Sequence, residues 1–125
     1  MSRLWVLWVV FFLGCPQEES STILFDNEGE LCVEDAGVIK VRPNYCLSSS
    51  CDTLVSATCT ASLDGYTLTL ESHAEIEHVG DVCTDDCGLV EATCTFETIQ
   101  DAESISVVHG STTVQFDQLP ACGAL

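Results

Sequence analysis

Nine cysteines, three histidines and twenty carboxylates are the side chains through which this 125-residue chain could do chemistry. A thiol serves as nucleophile, metal ligand or disulfide half, and spacing helps to decide which. Cys83-Thr84-Asp85-Asp86-Cys87 places three residues between its cysteines, where zinc ribbons and thioredoxin-like centres place two. Neither cysteine-rich segment has a neighbouring histidine or cation in sequence to lower a thiol's pKa. The acidic and histidine residues offer a different chemistry. On an extended strand Glu71, His73, Glu75 and Glu77 share one outward face, and alternate strand residues bind a transition metal when a third ligand converges. Asp81, Asp85 and Asp86 surround Cys83 in an acidic loop, a calcium-type arrangement that would need six to eight oxygens. The expected state of the first set is a solvated strand face, so no metal is assigned. The candidate ligands, if there is one, are His73, Glu75, Glu77, Asp81, Asp85 and Asp86. His109 is expected at a hairpin end in a turn role, and His78 on the strand face opposite His73. No nucleophile, base and orienting acid assemble, and no glycine-rich phosphate loop occurs, so a non-enzyme without a cofactor is expected.

The cysteines repeat. Cys51-Asp-Thr-Leu-Val-Ser-Ala-Thr-Cys59-Thr is echoed by Cys87-Gly-Leu-Val-Glu-Ala-Thr-Cys94-Thr, and a further cysteine, Cys46 or Cys83, precedes each. Two copies are too few for a solenoid, so the echo predicts an internal pseudo-symmetry with an equivalent strand in each half. Eight cysteines, Cys32, Cys46, Cys51, Cys59, Cys83, Cys87, Cys94 and Cys122, are expected in disulfides, and sequence alone leaves 105 connectivities. Cys59 and Cys94 fall on the apolar faces of the equivalent strands, which suggests a Cys59–Cys94 bridge. Cys32 and Cys122 lie near the two ends and could close the domain. The other four would pair locally or between the copies.

The elements that position these residues read as strands. Thr22–Phe25 is a first strand, and 31–43 gives two more around Asp35-Ala36-Gly37, ended by Pro43. Thr53–Leu63 and Tyr66–Ile76 alternate about Asp64-Gly65, a type I′ hairpin signal that pairs Leu63 with Tyr66, Ala61 with Leu68 and Cys59 with Leu70. Leu89–Ile99 alternates with Val90, Ala92, Cys94 and Phe96 inward. Ser104–Phe116 is a second hairpin about Gly110-Ser111, a type II′ turn pairing Val107 with Val114. No helix is evident. The expectation is all-β: an antiparallel, immunoglobulin-like β-sandwich of about seven strands, stapled by disulfides.

Arg3 precedes an unbroken apolar run, Leu4–Leu13. Ten residues are too few to span a bilayer, which needs about 20, and the pattern is that of a secretory signal. The run ends at Phe12-Leu13-Gly14-Cys15. At Gly14 and Cys15 this resembles the lipobox of bacterial lipoproteins, although Phe12 and Leu13 stand where Leu and a smaller residue are usual. The resemblance covers residues 1–15 alone. It implies cleavage after Gly14 and acylation of Cys15, palmitate included. Pro16 behind the cysteine implies the outer membrane. Lipidation also accounts for the odd cysteine. The expected organisation is a removed signal at 1–14, a lipidated cysteine and acidic tether at 15–29, and a cysteine-rich domain at 30–125.

The formal charge is −17. Losing Arg3 with the signal leaves −18, with only Lys40 and Arg42 as cations. Such a surface repels nucleic acid and anionic headgroups. The membrane is therefore a partner only through the lipid anchor, and any further partner is an unidentified protein or ligand. The functional expectation is a lipid-anchored, non-catalytic envelope module. The alternative is a metal- or calcium-binding envelope protein using the acidic strand or loop.

Overall fold

The computed structural model describes residues 20–100 and 102–124. The predicted signal and Cys15 lie outside them. Ten strands form sheets of five, three and two: β1 (Ser20–Asp26), β2 (Glu30–Asp35), β3 (Val38–Arg42), β4 (Cys46–Leu47), β5 (Asp52–Asp64), β6 (Thr67–Val79), β7 (Gly88–Leu89), β8 (Ala92–Thr95), β9 (Ser106–His109) and β10 (Thr112–Gln115). Short 3-10 turns at Ala102–Ser104, Phe116–Gln118 and Cys122–Ala124 are the only helical pieces among the described residues. β1 falls inside the range 15–29 expected as a tether, and there it pairs with β6.

The largest sheet is organised on β6. Its alternation TLTLESHAEIEHV turns Leu68, Leu70, Ser72, Ala74 and Ile76 inward, all buried. One edge of β6 pairs with β5 along nearly its whole length. The other edge is shared: β1 runs antiparallel along residues 73–79, and β9 runs parallel along 67–70. Ser72 stands at the fork. Its N–H donates to Asn27 Oδ1 and its carbonyl accepts from Asn27 N–H, both at 2.9 Å. Its hydroxyl lies 2.6 Å from Nε2 of buried His109. Asn27 adopts φ +54°. A Cβ on Gly110 would come within 2.8 Å of the Asn27 carbonyl oxygen, so this approach requires glycine. His109 thus joins two strands instead of serving the turn.

β2, β3 and β8 form the second sheet, and β4 pairs with β7 in the third. One buried cluster draws on the first two sheets: Leu68, Leu70 and Val107 from one, Ile39, Val41, Ala92 and Cys94 from the other, with Ile105 beside them. A smaller cluster of Ala74, Ile76 and Val90 sits toward the other end of β6. The β6–β9 pairing is parallel, as is an isolated bridge between Val33 and Ala121, so the fold is all-β with mainly antiparallel pairing.

Two features depart from the alternation reading. Leu63 pairs with Leu68, Ala61 with Leu70 and Cys59 with Ser72, two residues out from the expected register. The turn is Gly65-Tyr66, with φ +62° at Gly65 only, a type II′ pattern in place of I′. A slip of two preserves which face each residue occupies, so the apolar faces still coincide while exposed Tyr66 moves into the turn. Second, the expected strand Leu89–Ile99 is split. β7 pairs with β4 and β8 with β3, and between them Glu91 turns to Lys40 and Arg42 of β3, at 3.2 and 2.8 Å. The matching Leu-Val step of the other copy carries the bulge in β5, between Leu54 and Ser56. Both copies therefore break regular pairing at the same position.

Candidate metal centre

Four disulfides link the eight cysteines: Cys32–Cys122, Cys46–Cys87, Cys51–Cys83 and Cys59–Cys94. Cys59–Cys94 connects the third cysteine of each copy, from β5 to β8. The other two inter-copy bonds are reciprocal, since each takes the first cysteine of one copy to the second of the other.

Next to one of them, Cys51–Cys83, lies a hydrogen-bonded polar corner. Asp52 opens β5 and faces His78 near the end of β6, its register partner. The Asp52 side chain is 2% exposed. It accepts hydrogen bonds from Ser48 N–H at 2.8 Å, Tyr45 hydroxyl at 3.1 Å and His78 Nδ1 at 2.6 Å. Burial raises its pKa, but these bonds outweigh burial and hold it below the ordinary carboxylate value. The other ring nitrogen of His78, Nε2, lies 3.0 Å from the Gly80 carbonyl oxygen. Both partners only accept, so both ring nitrogens carry protons and His78 is an imidazolium here. Its pKa is raised, chiefly by the Asp52 hydrogen bond.

The loop from Gly80 to Cys87 closes over this pair. Gly80 takes φ +100°, which an L side chain rarely adopts, so the chain can leave β6 and turn back past Cys51. Thr84 N–H donates to Ser50 Oγ at 2.9 Å, and its hydroxyl lies 3.0 Å from Ser48 Oγ and also donates to Asp86. Asp86 accepts in turn from Ser49 N–H at 3.2 Å. The Thr84 and Ser49 bonds lower the pKa of Asp86.

One ligand atom each from Cys51, His78 and Cys83 lies within 4.8 Å of the others, the one such group among the described residues. Two sulfurs and an imidazole suit zinc or copper(I) and do not suit calcium. Asp52 supplies the carboxylate that metal-bound histidines commonly lean on, fixing the ring through Nδ1, so that Nε2 could coordinate on giving up the Gly80 carbonyl. In the structure the two sulfurs are bonded to each other, so ligation belongs to the dithiol form.

The residues singled out from sequence are placed elsewhere. His73 points outward and pairs with Asp26 of β1 at 2.5 Å. Glu71, Glu75 and Glu77 share its face. Asp81 and Asp85 are exposed in the loop. Their ligand atoms form no group of three among the described residues. Sequence reading missed His78 and Asp52, because the expected register sets Glu77 opposite Asp52. The two-residue slip and the β5 bulge together bring His78 there. No described helix is long and apolar enough to cross a membrane. The chain matches no protein-family model, and no curated protein or solved structure is similar to it.

Proposed function

We propose that this chain is a lipid-anchored, non-catalytic module of the bacterial envelope that binds zinc or copper(I) through Cys51, His78 and Cys83. The observation that carries the metal reading is the convergence of those three donor atoms within 4.8 Å. The anchor rests on the Gly14-Cys15 boundary and the odd cysteine count. Zinc sites of this kind take four ligands, so a water or an external ligand completes the shell. Equilibrium dialysis of zinc against the mildly reduced protein tests the reading. One equivalent bound, lost in His78→Ala, is the expected result; no zinc retained by the reduced wild type rejects it. A purely structural display module is the second reading. It is favoured by the Cys51–Cys83 bond, which occupies both sulfurs.

A further inference from the structure

We infer that the Cys51–Cys83 disulfide is the closed state of the metal site, so that disulfide and metal are two exchangeable occupants of one preformed corner. The inference rests on the metal reading above and adds its regulation. A dithiol reductant gives two electrons and two protons to the bond, yielding two thiols and its own disulfide. The metal then replaces both thiol protons and the Nε2 proton of His78, and these go to solvent. Reoxidation by a disulfide oxidant reverses the exchange and expels the metal.

What makes this a switch is that opening the bond leaves its two halves in place. Cys51 is held by its N–H on the Ser48 carbonyl at 3.2 Å and by its carbonyl under Val79 N–H at 2.8 Å. Cys83 is held by its neighbour Thr84 on Ser50 and Ser48, and by Asp86 on Ser49. Four residues beyond Cys83, the Cys46–Cys87 bond closes the same loop independently. His78 stays on Asp52, whose bonds to Ser48 and Tyr45 do not involve sulfur. The segments carrying the donors are therefore held before any metal arrives, and His78 Nε2 has to exchange the Gly80 carbonyl for the metal.

The third donor, His78, separates this bond from the other three, and access separates it from Cys32–Cys122. Cys32 is fully buried and Cys122 is 5% exposed, so Cys32–Cys122 is shielded from a reductant, whereas Cys59–Cys94 pairs buried Cys94 with half-buried Cys59 and has no third donor beside it among the described residues. At the corner Cys51 is buried, but Cys83 is half-buried and follows Val82, which is 95% exposed, so one sulfur is open to attack. Cys46–Cys87 is exposed on both sides. It is reducible too, yet among the described residues no third donor stands beside it to capture a metal.

The test is a thiol/disulfide buffer series on the whole folded protein, with and without zinc, reading each cysteine by alkylation and peptide mass mapping. Because zinc binds only the dithiol, zinc at ten times its dissociation constant moves the Cys51–Cys83 midpoint about tenfold in buffer ratio toward oxidising conditions. The midpoints of Cys46–Cys87, Cys32–Cys122 and Cys59–Cys94 stay where they were. Asp52→Asn reduces the shift, since His78 loses the carboxylate that orients it, while Lys40→Ala leaves it unchanged. Zinc bound with all four midpoints moving together, or with Cys46–Cys87 moving alone, overturns the switch and leaves a metal-binding thiol protein. No zinc bound at any buffer ratio overturns the metal reading itself.

Discussion

β5 carries one disulfide near its middle and follows directly on another, and the two have little in common. Cys59–Cys94 sits against the cluster where Leu68, Leu70, Ile39 and Val41 are buried, and ties the five-stranded sheet to β8. Its Cys94 end is buried in that cluster, while Cys59 stands opposite Ser72 on β6. Cys51–Cys83 sits among hydroxyls, a buried carboxylate and an imidazole; Cys51 has backbone hydrogen bonds of its own, and Cys83 is flanked by the hydrogen-bonded Thr84. The first bond braces a core whose alternatives are a cavity or two unpaired thiols. The second closes a corner that other contacts already define. On the proposed exchange, similar sequence cassettes yield a fixed staple at one position and a reversible one at another.

Removing the staple is expected to have the largest effect. Cys59→Ala with Cys94→Ala costs about 3 kcal/mol on the chain-entropy account, once the shorter path through Cys51–Cys83 is counted, and the cavity left beside Leu68 and Leu70 adds about 1 kcal/mol; urea melts at constant pH measure it. The same experiment with Cys51→Ser and Cys83→Ser is expected to cost less, about 3 kcal/mol, because Cys46–Cys87 already closes most of that loop. An equal loss at both sites would erase the distinction between them. Asp52→Ala comes next, at about 2 kcal/mol, since Ser48 N–H and Tyr45 hydroxyl lose an acceptor and His78 its counter-charge.

How far these regions were legible in sequence follows the same division. Alternation located β5 and β6 and placed Cys59 and Cys94 on apolar faces, because burial on one side of a sheet is written with period two. The β9–β10 register was legible as well: Gly110-Ser111 leaves Val107 opposite Val114. The corner was not. It depends on a slip of two residues and one bulge, and neither alters the apolar pattern. Hydrophobic periodicity is blind to an even shift. The alternation register, carried on to Asp52, therefore lands one residue away from His78. The parallel β6–β9 pairing was equally hidden, since alternation does not report strand direction. Pairing of β7 and β8 with different sheets has no local signal except the acid at Glu91, which finds the two cations of β3.

Acidification sharpens the comparison with smaller effects. Burial lowers the pKa of His109 below its ordinary 6.5. A base with a depressed folded pKa contributes stability fully above pH 6.5 and loses it as pH falls toward the folded value. Glu91 behaves as a carboxylate with a depressed pKa. Burial opposes its ionisation, but hydrogen bonds from Arg42 and Lys40 prevail. Its contribution is present above the ordinary 4.5 and is lost as pH falls through the lower folded value. His78 has the opposite sign, since its raised folded pKa gives stability that is present below 6.5 and lost as pH rises through the folded value. Urea melts from pH 7.5 to 3.5 should therefore show opposed histidine contributions, separated by His109→Gln, and a decline below 4.5 as Glu91 protonates. The smallest effect expected is that of Lys40→Ala, below about 1 kcal/mol, since that ion pair is partly exposed and Arg42 keeps Glu91 paired.

The most direct measurement of the central claim is the X-ray absorption spectrum of zinc bound to the mildly reduced protein. Coordination by Cys51, Cys83 and His78 predicts two sulfurs at about 2.3 Å and a nitrogen at about 2.0 Å, with the sulfur shell absent in the Cys51→Ser, Cys83→Ser protein. A shell of oxygens alone would contradict it and return the acidic strand and loop to consideration.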